Sequence, residues 1–267
     1  MLNRTSWQIT LDTLYALLFR ELKTRFGAKR TGYFWAIAEP ALQTLLMTVL
    51  FSFIGRNTLT GVPVMIFMLT GFVPFGLFGK MLKSVSTAVS ANKGLLGYRQ
   101  VSPIDPVVIR VMIELVTTLL VYVVLLFLMA WLGVEILSWM QLDVIPDNPL
   151  GVLAALLLLA AFSSGLGLIV TVGSAYWEDL DKIVSIATRP MILLSAVFYA
   201  MSMVPPQYWY LLSWNPVLHA IELGRDSFFV TYNTPVGSWV YLGSMAAGAQ
   251  LIGLMLYQVA RNRLKVS

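Results

Sequence analysis

The sequence lacks several residue types on which common protein chemistries depend. Its 267 residues include no cysteine, which excludes disulfides, thiolate nucleophiles and cysteine metal sites. A single histidine, His219, argues against a structural zinc or haem site. Charged residues make up only 12% of the chain and hydrophobic residues 58%, whereas about 25% of residues are charged in soluble domains. This balance indicates a polytopic membrane protein.

The chain also lacks a phosphate-binding loop of the form GxxxxGK[ST]. Its nearest Gly-Lys pair, Gly79-Lys80, is followed by Met81 and has Pro74 where the first glycine should stand. Without that loop there is no cradle of backbone N–H groups for the phosphates of ATP. We therefore expect ATP and Mg²⁺ to bind a partner subunit, and no cofactor or metal to bind this chain.

A catalytic site is equally hard to assemble from these residues. The only dense acidic group is Glu178, Asp179 and Asp181, in a short stretch between two apolar runs. We interpret it as a solvated turn that forms a salt bridge to a partner. The sequence therefore predicts no catalytic residue and a protein that is not an enzyme.

Long hydrophobic runs dominate what is present. A helix needs about 20 apolar residues to cross a bilayer, and six runs are candidates. They predict an all-α membrane protein with six transmembrane helices in a single domain, residues 1–267. The runs are Phe34–Ile54, Val62–Gly79, Val107–Gly133, Leu150–Ala175, Ile183–Met203 and Trp239–Ala260.

The positions of the basic residues predict the orientation. All 18 lysines and arginines except Arg56 and Arg225 flank the spans on one side, and such flanks are cytoplasmic. Both termini are therefore expected in the cytoplasm. Because these charges lie at membrane edges, the net charge of +5 does not indicate nucleic-acid binding.

The segment before the first span, residues 1–33, is predicted to be a cytoplasmic interface segment. Residues 11–26 have one apolar stripe at helical spacing. Such a helix lies along the membrane surface with its basic face toward the headgroups. It is either a simple anchor or also a contact for a cytoplasmic partner. The stripe contains Leu11, Leu14, Tyr15, Leu18, Leu22 and Phe26.

The connection between spans two and three, residues 84–106, is long for a simple turn. It holds Leu95, Leu96 and Tyr98, which have nothing local to bury against. A short amphipathic helix here would either project into the cytoplasm as a docking surface or pack beneath the membrane domain.

The segment 202–238 is too aromatic for a loop and too broken for a span. Pro205-Pro206 predicts the start of one short helix and Asn215-Pro216 that of another. The second, ending near Phe229, would be too short to cross the bilayer. Two short helices that dip in and return would satisfy their own backbones while lining a cavity. We predict a re-entrant gate segment on the outer side.

Individual side chains in the gate segment and in span one are ambiguous. Tyr208, Trp209, Tyr210 and Trp214 either form an interfacial aromatic belt or offer flat faces for stacking sugar rings. Glu39 stands within span one, followed by Pro40. A carboxylate inside a span is by default a functional candidate, and the alternative is a buried glutamate paired across helices.

Four stretches, in this order, carry a family resemblance: RTGYFWAIAEPALQTLL at 30–46, ANKGLLGYRQVSPIDPVVIRVMIEL at 91–115, YWEDLDKIVSIATRPMILLSAVFY at 176–199 and SWNPVLHAIELGRDSFF at 213–229. Together they make the chain similar to the membrane subunit of an ABC-2 type exporter, in the capsular polysaccharide export permease group. The turn YWEDLD departs from the more basic form expected in that group.

The resemblance implies an assembly in the bacterial inner membrane. It implies a homodimer, two copies of a cytoplasmic ABC ATPase, and a translocation path between the two permease copies. The substrate would be a lipid-linked acidic polysaccharide. A periplasmic polysaccharide co-polymerase or outer-membrane export protein would receive it, and no nucleic acid is implied.

The resemblance also implies roles for particular residues. A coupling helix would contact the ATPase, basic residues before span one would capture the lipid phosphate, and the outer segment would gate the path. Arg225 or the basic residues would steer the anionic polymer. The coupling set is Asn92, Lys93, Leu95, Leu96, Tyr98 and Arg99; the substrate-path set is Arg25, Lys29, Arg30, Tyr33, Trp35 and Glu39; the gate set is Tyr208, Trp209, Trp214, Glu222, Arg225 and Asp226.

Three other functions stay open at this point. An O-antigen or teichoic-acid permease of the same superfamily would differ in the polymer lost on deletion. An integral membrane transferase for polyprenyl-linked sugars would be active without an ATPase. A secondary transporter would work without ATP, although the chain has no internal repeat of the kind on which many such folds are built.

Overall fold

A computed structural model describes residues 6–24, 32–98, 100–135, 144–177 and 179–266. Within these ranges the chain is helical apart from one two-stranded antiparallel sheet. Short 3-10 turns occur at Ser90–Asn92, Met201–Met203 and Pro206–Tyr208. The elements are α1 (Ser6–Leu22), α2 (Gly32–Phe53), β1 (Thr58–Leu59), β2 (Val62–Pro63), α3 (Val64–Ser86), α4 (Lys93–Leu96), α5 (Asp105–Glu135), α6 (Pro149–Ser174), α7 (Leu180–Leu194), α8 (Trp209–Leu212), α9 (Pro216–Phe228) and α10 (Trp239–Val266).

Five of these helices are long and apolar enough to cross a membrane, counted over the described ranges. They correspond to five of the six predicted runs and confirm a helical membrane protein. Pro74 lies inside α3 and does not end it. The candidate spans are Phe34–Phe53, Val64–Ser86, Asp105–Trp131, Pro149–Ser174 and Trp239–Leu264.

Helix α6 is the centre of the bundle and packs against α3, α9 and α10. Its contact with α10 depends on small residues, because a Cβ at Gly165 would lie 2.6 Å from the carbonyl carbon of Ala249. Gln250 of α10 donates to the carbonyl of Ala161 at 2.8 Å and to the hydroxyl of Ser164 at 2.6 Å. Close backbones and interhelical hydrogen bonds are the usual means of joining helices in lipid.

The two ends of the bundle are distinct, and we name them the α1 end and the α9 end. At the α9 end the start of α6 meets α9, where Asn148 N–H donates to the carbonyl of Ser227 at 2.8 Å. A hairpin turn after α2 was not anticipated. It is made by Thr60 and Gly61, which have φ of 52° and 83°; two left-handed residues are the backbone that tight hairpins require.

Helix α1 is amphipathic as predicted, but its apolar stripe does not all face lipid. Leu17 is buried against Ile109 and Ile113 of α5, whereas Leu11 and Tyr15 are exposed. The helix ends at Leu22, earlier than expected, and the predicted stripe residue Phe26 lies outside the described ranges. Helix α1 is therefore attached to the bundle by side-chain packing.

The predicted fifth span is not one continuous helix. Helix α7 ends at Leu194, and Ala196 has φ of 55°, a left-handed conformation that a helix cannot continue through. No residue of α7 is buried, yet Val197 and Met201 just beyond it are fully buried. The second half of the predicted run is an irregular, buried segment.

Both short helices predicted for the segment 202–238 are present. The Asn215 side chain accepts a hydrogen bond from Val217 N–H at 3.0 Å and caps the start of α9, with Pro216 at the first helical position. The same amide donates to the carbonyl of Leu194 at 3.1 Å and to the Ser195 hydroxyl at 2.9 Å. One side chain thus joins the start of α9 to the end of α7.

Candidate transport site

Arg225, in α9, is the largest fully buried side chain of the described protein. Its Nη1 donates to the carbonyls of Ala196 at 2.6 Å and Tyr199 at 3.2 Å. Its Nη2 donates to the carbonyls of Val197 at 2.9 Å and Phe67 at 3.3 Å. The guanidinium carbon also lies 3.7 Å from the centre of the Phe67 ring, a favourable cation–π distance.

These contacts explain how the chain can remain irregular where it is buried beyond the end of α7 at Leu194. Carbonyls outside a helix or sheet have no regular backbone partner, and buried polar groups without partners are costly. The planar guanidinium, with five donors, satisfies three carbonyls of the broken segment at once. Gly71 of α3 leaves room for it, because a Cβ there would lie 2.7 Å from Arg225 Nη2.

Glu222 is the counter-ion of Arg225 and is also fully buried. Its Oε1 lies 3.8 Å from Arg225 Nη1 and accepts from the Tyr232 hydroxyl at 2.8 Å. Its Oε2 accepts from Thr234 Oγ1 at 2.9 Å. Burial raises the pKa of Tyr232, and the negative charge of Glu222 raises it further. Tyr232 therefore remains a protonated donor, which the buried carboxylate needs.

The predicted steering of an anionic polymer by Arg225 would require a conformation in which this side chain is accessible, and it stays a prediction. None of the Arg225 or Glu222 side chain is accessible, so neither can contact a polymer in this conformation. Asp226 is half-buried, and its Oδ1 accepts from Thr234 N–H at 3.0 Å. Glu222 and Asp226 thus hold α9 and the following loop together, whereas Arg225 joins α9 to the segment after α7.

The aromatic residues of the gate set lie at the α9 end with different exposure. Tyr208 and Trp214 are exposed, and Trp214 Nε1 donates to the carbonyl of Leu211 at 2.6 Å. Trp209 is half-buried and donates to the carbonyl of Val204 at 2.8 Å. The indole N–H groups thus form hydrogen bonds within the chain. The ring faces can serve either as an interfacial aromatic belt or as stacking surfaces for sugar rings, so both interpretations stay open.

His219 connects both flanks of α9. Its Nε2 lies 2.7 Å from the carbonyl of Ser213, and its Nδ1 accepts from Ser238 N–H at 3.1 Å. Only the neutral tautomer with the proton on Nε2 makes both bonds. The His219 ring also lies 4.5 Å from that of Tyr241. Burial lowers the pKa of His219, in agreement with the neutral form.

We expect acid to weaken this connection. A histidine with a lowered pKa leaves the fold unaffected above its unfolded value of about 6.5 and destabilises it as the pH falls below that value. His219→Gln retains one donor and one acceptor without titrating. Between pH 7.5 and 5.5 the melting temperature of the purified wild type should fall by about 2 °C or more beyond that of His219→Gln. Parallel pH profiles would contradict this role.

At the α1 end, a cavity of about 550 Å³ opens between α2, α3, α5 and α7. It brings together Trp35 and Glu39 of the predicted substrate path. Glu39 Oε2 forms an ion pair with Lys80 Nζ of α3 at 2.8 Å. The predicted pairing across helices is confirmed, but the glutamate is half-exposed rather than buried. The cavity is lined by Gly32, Trp35, Ala36, Glu39, Pro40, Gln43, Phe72, Val73, Phe75, Gly76, Leu77, Gly79, Lys80, Lys83, Glu114, Thr117, Thr118, Val121 and Ile192.

The remaining residues of the predicted substrate path are not placed. Arg25, Lys29 and Arg30 lie outside the described ranges. Tyr33 belongs to α2, but its side chain is not described. Capture of a lipid phosphate by these residues stays a prediction.

The predicted coupling set is divided between buried and exposed residues. Leu96 is buried in the main core and Leu95 packs beside Leu17 of α1, so both favour packing beneath the bundle over docking. Lys93 and Tyr98 are exposed, and Arg99 lies outside the described ranges.

Asn92 of the coupling set is buried and links it to α1. Its Oδ1 accepts from Arg20 Nη1 at 2.8 Å, and its Nδ2 donates to the carbonyl of Ala88 at 2.8 Å. A displacement of the coupling segment would therefore act directly on α1.

Arg110 connects three helices and was not singled out from the sequence. Its Nε donates to Glu21 of α1 at 2.6 Å. Its Nη1 donates to the carbonyl of Ser84 at 2.7 Å and to Thr87 Oγ1 at 2.9 Å. The sequence offers only a weak sign of this arrangement, a basic residue early in an apolar helix.

These features define a class of protein: a helical membrane protein that lacks a phosphate-binding loop in its sequence, with an attached amphipathic helix, a connection at residues 84–106 that is linked to this helix, and two short helices at the opposite end. Residues 12–229 match the family model described as ABC-2 type transporter. The chain belongs to the ABC-2 type transporter family.

Relatives within the family cover nearly the whole chain. Polysialic acid transport protein KpsM of Escherichia coli is 32% identical over 267 residues, 99% of both chains. Capsule polysaccharide export inner-membrane protein CtrC of Neisseria meningitidis serogroup A is 29% identical over 224 residues, 82% of both. O-antigen export system permease protein RfbA of Klebsiella pneumoniae is 24% identical over 221 residues, 81% of this chain and 80% of that one.

Proposed function

We propose that the chain is the permease subunit of an ATP-driven exporter that moves a lipid-linked capsular polysaccharide across the bacterial inner membrane. The observation that carries this proposal is the end-to-end similarity to the polysialic acid transport protein. Similarity to the O-antigen permease is lower and covers less of the chain. That polymer class is therefore the second candidate.

The proposed topology has six spans with both termini in the cytoplasm. Helix α7 has 15 residues, about 22 Å at 1.5 Å per residue, and the irregular segment that follows it, to Met203, would complete the fifth crossing. This places the α1 end in the cytoplasm and makes α8 and α9 the re-entrant gate on the outer side. The positions of the basic residues support that orientation.

The proposed assembly is a homodimer with two ABC ATPase subunits and a periplasmic export partner. The apolar surfaces of α2 and α7 support it, since α2 buries little within the chain and no residue of α7 is fully buried there. Along these surfaces polymer would move between the two copies. ATPase contact is proposed at Lys93 and Tyr98, because these residues of the coupling segment are exposed.

Deletion of the chain from its host tests the substrate. We expect loss of surface capsule, intracellular accumulation of lipid-linked capsular polymer, and unchanged lipopolysaccharide. Loss of O-antigen with normal capsule would contradict the proposal and favour the second candidate. A purified chain that transferred sugars without any ATPase would overturn the transport function altogether.

A further inference from the structure

We infer that the cavity at the α1 end holds a phosphate-binding subsite, formed by Lys80 and Lys83 and occupied at rest by the carboxylate of Glu39. The identity of the substrate in this inference rests on the proposed function. The binding of a phosphate is inferred from the residues that line the cavity. The ligand would be the phosphate that joins a lipid anchor to its polar group.

The charges of the cavity stand at one level of the bundle. Lys80 and Lys83 are three residues apart on α3, so they share one face of the helix. Glu39 stands seven residues into α2, and Glu114 nine into α5. At 1.5 Å per residue, these two carboxylates lie about 10–14 Å from the ends of their helices.

The walls of the cavity suit an amphiphile. Phe72, Leu77 and Ile192 supply apolar surface, while Gln43 and Thr117 supply neutral hydrogen-bonding groups. A volume of about 550 Å³ is within the usual range for small-molecule sites. It would hold a phosphate together with its first sugar or glycerol and part of a lipid chain.

The Glu39–Lys80 ion pair indicates an exchangeable anion subsite. Both side chains are partly exposed, 52% and 40% respectively, so the pair is not locked in the core. Exposed ion pairs contribute little to stability. A phosphate offers more acceptor oxygens than a carboxylate and carries the same sign of charge. It would therefore replace Glu39 at Lys80 and recruit Lys83.

This exchange would also change the contact between two helices. Glu39 belongs to α2 and Lys80 to α3, so the ion pair ties these helices together while the subsite is empty of ligand. Arrival of a phosphate releases Glu39 and with it that tie. The subsite would thus couple substrate loading to the loss of one polar contact between α2 and α3.

Two single substitutions separate a subsite from a merely structural ion pair. Glu39→Gln and Lys80→Gln remove the same pair and should cost the fold the same. If the pair is only structural, both variants behave alike. If Lys80 belongs to a phosphate subsite, Lys80→Gln weakens binding, whereas Glu39→Gln removes the competing carboxylate and strengthens it.

The measurement uses the complete complex of permease and ATPase in dodecyl maltoside micelles, which contain no phosphate. Bound phosphatidylglycerol is counted by native mass spectrometry during a titration, with diacylglycerol as the probe that lacks phosphate. We expect the apparent affinity for phosphatidylglycerol to fall about tenfold in Lys80→Gln and to rise in Glu39→Gln. Equal affinities in all three proteins, or equal binding of diacylglycerol, would overturn the subsite.

A second arm distinguishes a membrane phospholipid from the substrate. Lipid-linked polymer is purified from a strain that lacks this permease and added in place of phosphatidylglycerol. If the lipid-linked polymer gives the same order of affinities and it alone stimulates ATP hydrolysis, the subsite belongs to the substrate. If only phosphatidylglycerol gives that order, the subsite belongs to a membrane lipid. If the three proteins bind phosphatidylglycerol in the expected order but the wild-type complex exports no polymer, the proposed function is refuted and the subsite is retained.

Discussion

Substitution of Arg225 by methionine is expected to unfold the α9 end of the protein. Methionine fills similar space but leaves Glu222 as an uncompensated buried charge and the carbonyls of Ala196, Val197 and Tyr199 without their donor. Removing one partner of a buried ion pair costs about 3–5 kcal/mol. We expect the melting temperature of the purified protein to fall by about 6 °C or more, with loss of export.

Two further variants distinguish the ion pair from the carbonyl contacts. Arg225→Lys keeps the charge but has three donors in place of five, so it should be intermediate. Adding Glu222→Gln to Arg225→Met removes the unpaired charge and should recover part of the lost stability. Asp226→Asn, one residue along α9 and half-buried, is the matched control. A methionine variant as stable as this control would show that Arg225 does not hold the segment.

The two short helices of the segment 202–238 could be predicted because their determinants are local. Pro205-Pro206 and Asn215-Pro216 fix the starts of short helices through backbone restriction and capping, and neither needs a distant partner. The long apolar helices were predictable for a similar reason, because length and hydropathy alone decide whether a helix can span the bilayer. The amphipathic pattern of α1 likewise lies within one stretch of sequence.

The end of α7 could not be predicted because its cause lies on another helix. Residues 183–203 are apolar enough to be taken as a single span. What allows the break at Ala196 is a guanidinium from α9, together with the space left at Gly71 of α3. Without knowledge of these contacts, Arg225 is interpreted from the sequence as an exposed cation, which is the usual role of an isolated arginine at a membrane edge.

The cavity shows the same limit at the level of a site. Trp35 and Glu39 were placed on the substrate path from one helix, and they do line the cavity. Lys80 and Lys83 were interpreted only as charges that set the orientation, because their distance from Glu39 along the chain hides the ion pair. The sequence therefore identified one wall of the cavity and missed the opposite one.

Replacing Arg110 with glutamine is expected to separate ATP hydrolysis from transport. In the proposed complex, the ATPase acts on the coupling segment, and that force reaches the spans through side chains. Asn92 passes it to α1 through Arg20, and Arg110 joins α1 to the end of α3 and to α5. Glutamine lacks the charge for Glu21 and cannot reach Ser84 and Thr87 as well.

We expect the Arg110→Gln complex to assemble and to hydrolyse ATP at a basal rate close to wild type, but to export about tenfold less polymer or even less. The reason is that losing partly buried charge-assisted hydrogen bonds costs about 1.5–3 kcal/mol, and each 1.4 kcal/mol corresponds to a factor of ten. Glu21→Gln removes the charge from one of the three Arg110 contacts and should give a smaller defect. Lys23→Gln, at an exposed position directly after α1, is the control and should export normally. The measurement pairs ATP hydrolysis by the purified complex with surface polymer on cells. Normal export by Arg110→Gln would show that force reaches the spans by another route, whereas loss of hydrolysis and export together would show that Arg110 serves assembly rather than transmission.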